Sequence, residues 1–389
     1  MANTVLTPTA VTREALRILH QKLNFVGSIN RQYDDSFAKS GAKIGDSLKI
    51  RLPNQYTVRT GATLSTQDTT ETSTTLQVAT QKGVDTTFTS NELTLSLDDF
   101  SKRILEPAMS VLAANIEADA MSMYKDVYQS VWNGAAAATY NKYLDARVLL
   151  QRGLAPNGDR TANVDPLAMA DLVKDTKTLF NDQAQLSKQY KEGFMGRAAG
   201  FDWVENTLWP SHTRSAAVSY LINGAAQTGA TLVVDTGTGA PSAGDVFTIA
   251  NVFSVHPESK VSTGVLQQFV IGTGATTTSF PITPSIVTSG ATQNVNAGPA
   301  DNAAITFLGT ASTAVNTSLI YNKDAFTFAT ADLVMPEGVD FASRQTLDGI
   351  SMRIVRQYAI STDTFPCRLD VLYGYKTIRP QFAARVHNN

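Results

Sequence analysis

Residues 107–132 read PAMSVLAANIEADAMSMYKDVYQSVW. Met109, Leu112, Ile116, Ala120, Met123 or Tyr124, Val127 and Val131 recur every three or four residues, the period of one helix face. Five alanines (108, 113, 114, 118 and 120) restrict little side-chain freedom. Pro107 suits a first helical position, where its missing N–H has no partner to lose. Asn133-Gly134 is a stop signal. The spacing therefore predicts a helix of about 25 residues, roughly 37 Å long, twice the usual globular length. Asn115, Glu117, Asp119, Lys125 and Asp126 fall mainly off the apolar stripe. One face should pack on a sheet, and the Glu117/Asp119 side should meet solvent.

Upstream, Thr7-Pro8 opens an amphipathic helix over about 8–24, with Val11, Ala15, Leu16, Ile18, Leu19 and Leu23 near one face. The polar stretch 27–47 follows, and the pair reads as an arm that leaves the body. The segments 46–53 and 74–80 alternate polar and apolar residues and read as strands. The polar connection between them has few large apolar groups and should project, since it cannot hold itself rigid. Arg51 and Arg59 on this hairpin, with Lys39 and Lys43 before it, make the one modest basic grouping. A solvated loop and docking onto a neighbour's acids explain it equally well. Ser96 and Asp99 resemble a capping box ahead of Pro107.

Downstream, NKYLDARVLLQRGLA (141–155) and the segment starting at Asp165-Pro166 read as two further helices. From 216 to 315 the composition changes. Only Asp235, Asp245, Glu258, Lys260 and Asp301 are charged there, and eleven glycines punctuate Thr- and Val-rich runs. Strand candidates lie at 231–236, 245–252, 267–273 and 304–309, the pattern of a small all-β insertion. Strands return over 318–333, 351–360 and 367–380, giving a mixed α+β body.

The whole chain has 389 residues, a formal net charge of −2 and 17% charged residues, below the usual ~25%. That balance argues against a generic nucleic-acid binder. It fits a chain that buries surface against other subunits. Cys367 is the single cysteine, so no internal disulfide framework arises. The first 21 residues lack the basic and apolar regions of a signal peptide. No apolar run is long enough to span a membrane.

Chemistry is thinly represented. Gly237/Gly239 and Gly272/Gly274 lie in turns without the following helix that a phosphate cradle needs. His20, His212, His256 and His387 are scattered and lack metal-ligand spacing. There is no G-x-S-x-G elbow. A Ser–His–Asp site would have to use His212 or His256 as its base. Glu117 and Asp119, two residues apart on a helix, do not share a face as an acid pair would. The aromatic segment from Phe194 to Trp209 lacks a basic stripe, so core packing is the better reading than base stacking. No cofactor is expected.

Several stretches, taken in order, resemble the major capsid protein of tailed bacteriophages. They are LDDFSKRILEPAMSVLAANIEADAMS (97–122), ANVDPLAMADLV (162–173), GRAAGFDWVENTLWP (196–210), GATLVVDTGTGAPSAGDVFTIANVFSVH (229–256) and CRLDVLYGYKTIRPQFAARV (367–386). The fold is shared with encapsulins and herpesvirus capsid floors. The likeness is strongest to coat proteins of short-tailed phages that carry an inserted β-barrel domain. The resemblance implies an α+β capsid fold with an N-terminal arm at 1–40 and an extended hairpin with flanking strands at 41–90. A peripheral domain at 91–150 would carry a spine helix at 107–132. The first part of the axial domain would cover 151–215, the inserted β-barrel 216–315 and the closing strands 316–389.

It further implies a structural subunit, not an enzyme, that self-assembles into pentamers and hexamers of an icosahedral shell around double-stranded DNA. Scaffolding, portal and decoration proteins are the implied partners, with a procapsid that expands and assembly in the host cytoplasm. A covalent Lys–Asn lock, known from one relative, finds no pair here, so closure should be non-covalent. Two other readings are open: an encapsulin-like compartment, or a secreted or tail-associated hydrolase with a β accessory module.

Overall fold

The computed structural model describes residues 8–31, 47–64, 66–67, 71–89, 104–134, 136–176, 195–362 and 364–388. They fall into two compact units. One takes the described residues within 1–52, 73–121 and 326–378, and the other those within 53–72, 122–325 and 379–389.

In the first unit the centre is the long strand Thr364–Thr377. Thr80–Thr89 pairs antiparallel along it from Thr364↔Thr89 to Tyr373↔Thr80. Phe326–Ala331 pairs antiparallel with its residues 372–377 and Ile350–Arg356 with its residues 367–370, and Phe341–Leu347 pairs with Ile350–Arg356. A separate ribbon joins Ser47–Arg51 to Ser73–Gln77. Gly374 has a steric reason: a Cβ there would run into the Gln77 carbonyl.

The spine helix spans Glu106–Met121, 16 residues, or about 24 Å. This corrects the expected 107–132. Ser122–Asp126 continues as a 3-10 turn, and Ser130–Trp132 becomes a strand in the second unit, parallel to Arg385–His387. The helical period of Val127 and Val131 loses to that strand pairing, a tertiary override of a local preference.

A second correction concerns the arm. Helix Pro8–Lys22 lies against the spine helix and strands Phe341–Leu347 and Ile350–Arg356. Val11, Ala15, Leu16, Ile18 and Leu19 are buried there. Burying an aliphatic side chain contributes about 1.5–3 kcal/mol, which explains why this segment is not free.

A third correction is Glu117, expected in solvent but only 1% exposed. The spine helix is covered on that side too, by Phe25–Ser28. Asp119 instead reaches Lys82 Nζ at 2.7 Å and accepts a 2.5 Å hydrogen bond from the Tyr373 hydroxyl.

The second unit has two sheets. One orders Ser130–Trp132, Ala383–Asn388, Ala314–Asn322, Arg160–Val164, Phe201–Glu205 and Arg197–Ala198, with Ser211–Thr213 also pairing Ala314–Asn322. Helices Tyr140–Arg152 and Pro166–Thr176 contribute Tyr143, Leu150, Met169 and Leu172 to its core beside Phe201 and Trp203. The aromatic segment is thus core from Phe201 to Trp209, while Tyr190 and Phe194 lie outside the described residues.

The other sheet is the all-β module. Its order is Ile305–Phe307, Val246–Val255, Ser262–Ile271, Ser279–Ile286, Gly229–Asp235 and Leu221–Ile222. The last strand returns to the first. Leu221 bridges Ala304, and the Ile222 and Ile305 N–H groups donate to Ala303 and Tyr220 carbonyls at 3.0 Å. The sheet nearly closes as a barrel around Tyr220, Phe247, Phe269, Phe280 and Phe307. Tyr220 and Phe280 meet edge-on at 4.9 Å. Ser279–Ile286 is a strand that Thr, Ser and Pro disguise as a turn.

Candidate assembly site

Pairing in the ribbon ends at Arg51↔Ser73. Beyond it the described part of 53–72 contains no strand. One side chain spans the loop: Gln67 Oε1 accepts from the Thr57 N–H at 2.8 Å, and Gln67 Nε2 donates to the Thr57 carbonyl at 2.6 Å. Tyr56, Val58 and Leu64 are 59%, 94% and 78% exposed. Three large apolar groups on a loop with no core of its own are unusual for a solvated turn. The Arg59 guanidinium donates to the Gly61 carbonyl, and Arg51 lies exposed at the ribbon's end. Lys39 and Lys43 lie outside the described residues, so the structure does not bring the four cations together.

A buried polar cluster joins the barrel to the sheet in the second unit. His212 comes from Ser211–Thr213, Arg385 and His387 from Ala383–Asn388, Tyr124 from the 3-10 turn and Asp245 from the start of the barrel. His212 Nε2 lies 3.2 Å from Asp245 Oδ1, and its Nδ1 lies 3.3 Å from the Tyr124 hydroxyl. Asp245 Oδ2 also accepts N–H bonds from Ser242 at 3.0 Å and Ser215 at 3.3 Å. Burial alone would raise the Asp245 pKa, but His212 and these donors outweigh it and hold it below the usual carboxylate range. Arg385 donates to the Gly244 carbonyl at 2.9 Å, and burial brings its pKa down to about 10. Burial, then Arg385 and His212, press the His387 pKa well down. Beside this cluster, Gln268 exchanges two hydrogen bonds with the Ser130 backbone, at 2.8 and 2.9 Å.

His212 and Asp245 have the spacing of a base and its orienting carboxylate. The hydroxyl beside them is a phenol, and His212, Asp245 and Tyr124 are all buried. A substrate has no approach to it, so the cluster is a structural fastening. No signal in the sequence links residues 33 apart in this way. The other two histidines are also local. His20 pairs with Asp348 at 2.9 Å, and His256 Nδ1 accepts from the Glu258 and Ser259 N–H groups in a turn. Among the described residues, no group of three His, Cys, Asp or Glu side chains could hold a metal. None of the helices among them is long and apolar enough to cross a membrane. Gly237 packs beneath the Tyr220 ring, where a Cβ would clash, and so serves a turn.

A family model described as P22 coat protein, gene protein 5, matches residues 28–385. Among solved structures, the chain is similar to one from Mycobacterium phage Che8 at 11% identity. The match covers 94% of this chain and 90% of that one, with a TM-score of 0.49. The capsid structure of cyanophage P-SCSP1u matches at 12% identity over 90% of this chain and 85% of that one, with a TM-score of 0.48. The CUS-3 coat protein I-domain matches at 32% identity over 23% of this chain and 95% of that one, with a TM-score of 0.20. A search of curated proteins found no significant match.

Proposed function

The chain belongs to the P22 coat protein family and is a structural protein of the phage capsid, and we propose that its copies close into an icosahedral shell around double-stranded DNA. The observation that carries this reading is the family match across 28–385. Assembly then runs through pentamers and hexamers on a scaffolding protein, with a portal at one vertex, and the procapsid expands as DNA enters. A decoration protein is compatible with this scheme but not required by it. The inserted domain occupies 216–315 and stabilises the subunit through its fastening at Asp245. The slight negative charge suits packing of DNA without sequence preference.

The loop 53–72 supplies the inter-subunit contact in this proposal. Its exposed Tyr56, Val58 and Leu64 cover apolar surface on an adjacent copy, and Arg51 and Arg59, with Lys39 and Lys43, meet that copy's carboxylates. Extended elements of this kind add the area that a compact subunit's sides lack. Deleting 54–73 is expected to leave a folded, soluble subunit that forms no shells when co-expressed with scaffolding protein. Negative-stain microscopy reads the outcome, and normal shells from the deletion would refute the role of the loop. Mass spectrometry and nucleic-acid extraction of wild-type shells test the contents. A protein cargo without DNA would replace the phage-capsid reading with a compartment.

A further inference from the structure

We infer that residues 8–31 form a strap held shut on the spine helix by Glu117, and that the strap opens when this carboxylate carries its charge. Glu117 Oε2 accepts the Phe25 N–H at 3.1 Å and Oε1 accepts the Val26 N–H at 3.3 Å. Phe25 and Val26 are themselves fully buried, and the Phe25 ring meets that of Phe326 at 5.7 Å, tilted by 57°. The carboxylate is therefore the point where the strap's backbone is pinned to the helix. Two fastenings lie farther along. Asn30 exchanges backbone hydrogen bonds with Phe326 and Phe328, at 3.2 and 3.0 Å. Asp348 receives His20 at 2.9 Å and Arg31 at 2.7 Å.

No cation faces Glu117 among the described residues. On helix Pro8–Lys22, Arg17 pairs with Glu14 at 2.6 Å, His20 serves Asp348, and Arg13 and Lys22 point to solvent. On strand Thr80–Thr89, Lys82 is taken by Asp119, and Asp85 is exposed. Along the spine helix itself, Glu106 is exposed and Asp119 faces Lys82 and Tyr373. A buried carboxylate met only by backbone N–H groups keeps a large desolvation cost when ionised. Burial accordingly pushes its pKa up to about 8, against the lowering effect of the Val26, Phe25 and Asn24 N–H bonds. The neutral acid retains an oxygen acceptor for the strap and sheds that cost. The charged form recovers its hydration only if the strap lifts.

With a carboxyl at about 8 in the closed form and at its ordinary 4.5 when open, the opening equilibrium rises about tenfold between pH 7 and pH 9. The test is tryptic cleavage after Arg13, Arg17 and Lys22 in the full-length subunit at both pH values. Each rate is divided by that of a free peptide of residues 8–31 at the same pH. The wild type should be cut roughly tenfold faster at pH 9. Glu117→Gln, which keeps one of the two acceptor oxygens but cannot ionise, should be cut more slowly than the wild type at pH 9 and equally at both. Asp348→Asn should be cut faster at both while keeping the pH response. A flat wild-type profile would overturn the proposal. So would a Glu117→Gln variant that still responds to pH or is cut fast throughout.

Discussion

Glu117 on the spine helix and Asp245 at the foot of the barrel are each about 1% exposed, yet among the described residues only Asp245 faces a side chain that can carry positive charge. Asp245 has His212 and the N–H groups of Ser215 and Ser242. Among the described residues, Glu117 has backbone donors alone. The same burial therefore yields opposite shifts, below the usual range for Asp245 and up to about 8 for Glu117. The lesson is that burial sets the cost of a charge and the partners decide its sign. One carboxylate holds its attachment until pH falls below the ordinary carboxylate range, and the other makes an attachment conditional near neutral pH.

The largest test of this contrast is Asp245→Ala. It leaves the buried His212 and two part-buried backbone N–H groups without their acceptor, and should cost roughly 3–5 kcal/mol in urea unfolding. A loss under about 1 kcal/mol would mean that the cluster does not fasten the barrel.

The two pH responses come next. The Asp245 pKa is depressed, so its contribution is present above the ordinary value of 3.8 and disappears as pH falls through the lower, folded value. The Glu117 pKa is raised, so its contribution is present below 4.5 and declines as pH climbs to about 8. Hydrogen exchange, corrected for intrinsic rates, should show the Ser215 and Ser242 amides losing protection on the acid side and those of Phe25 and Val26 on the alkaline side. Parallel responses at both sites would erase the comparison. The smallest expected change is Arg59→Ala. On an exposed loop it should move subunit stability by less than about 0.5 kcal/mol, while lowering the yield of shells counted by microscopy.

Much of the fold was legible because local periodicity and packing agreed. The helix stripe at Met109, Leu112, Ile116 and Ala120 is the buried stripe. The alternation in the ribbon strands and the glycine-punctuated runs of the barrel also correspond to observed strands. Other strands gave no such sign. Arg160–Val164 is buried along its whole length, so its RTANV shows no alternation. Ser130–Trp132 exists only because Arg385–His387 lies beside it. The buried polar cluster could not be read at all, since Tyr124, His212, Asp245 and Arg385 are far apart in the chain.

What the sequence determined by itself is the class of protein: low charge, a mixed α+β body, an all-β insertion and a polar loop without a core, in an order that resembles phage coat proteins. Those features follow from composition and period, which act within a few residues. Only the tertiary structure decided where the spine helix stops, that helix Pro8–Lys22 lies on the body, and that Glu117 is buried beneath residues 24–26. Each depends on which distant segment covers a given face. A helix presents the same polar residue to solvent or to a neighbour until that neighbour arrives, and its burial then sets both the energy and the function of the charge.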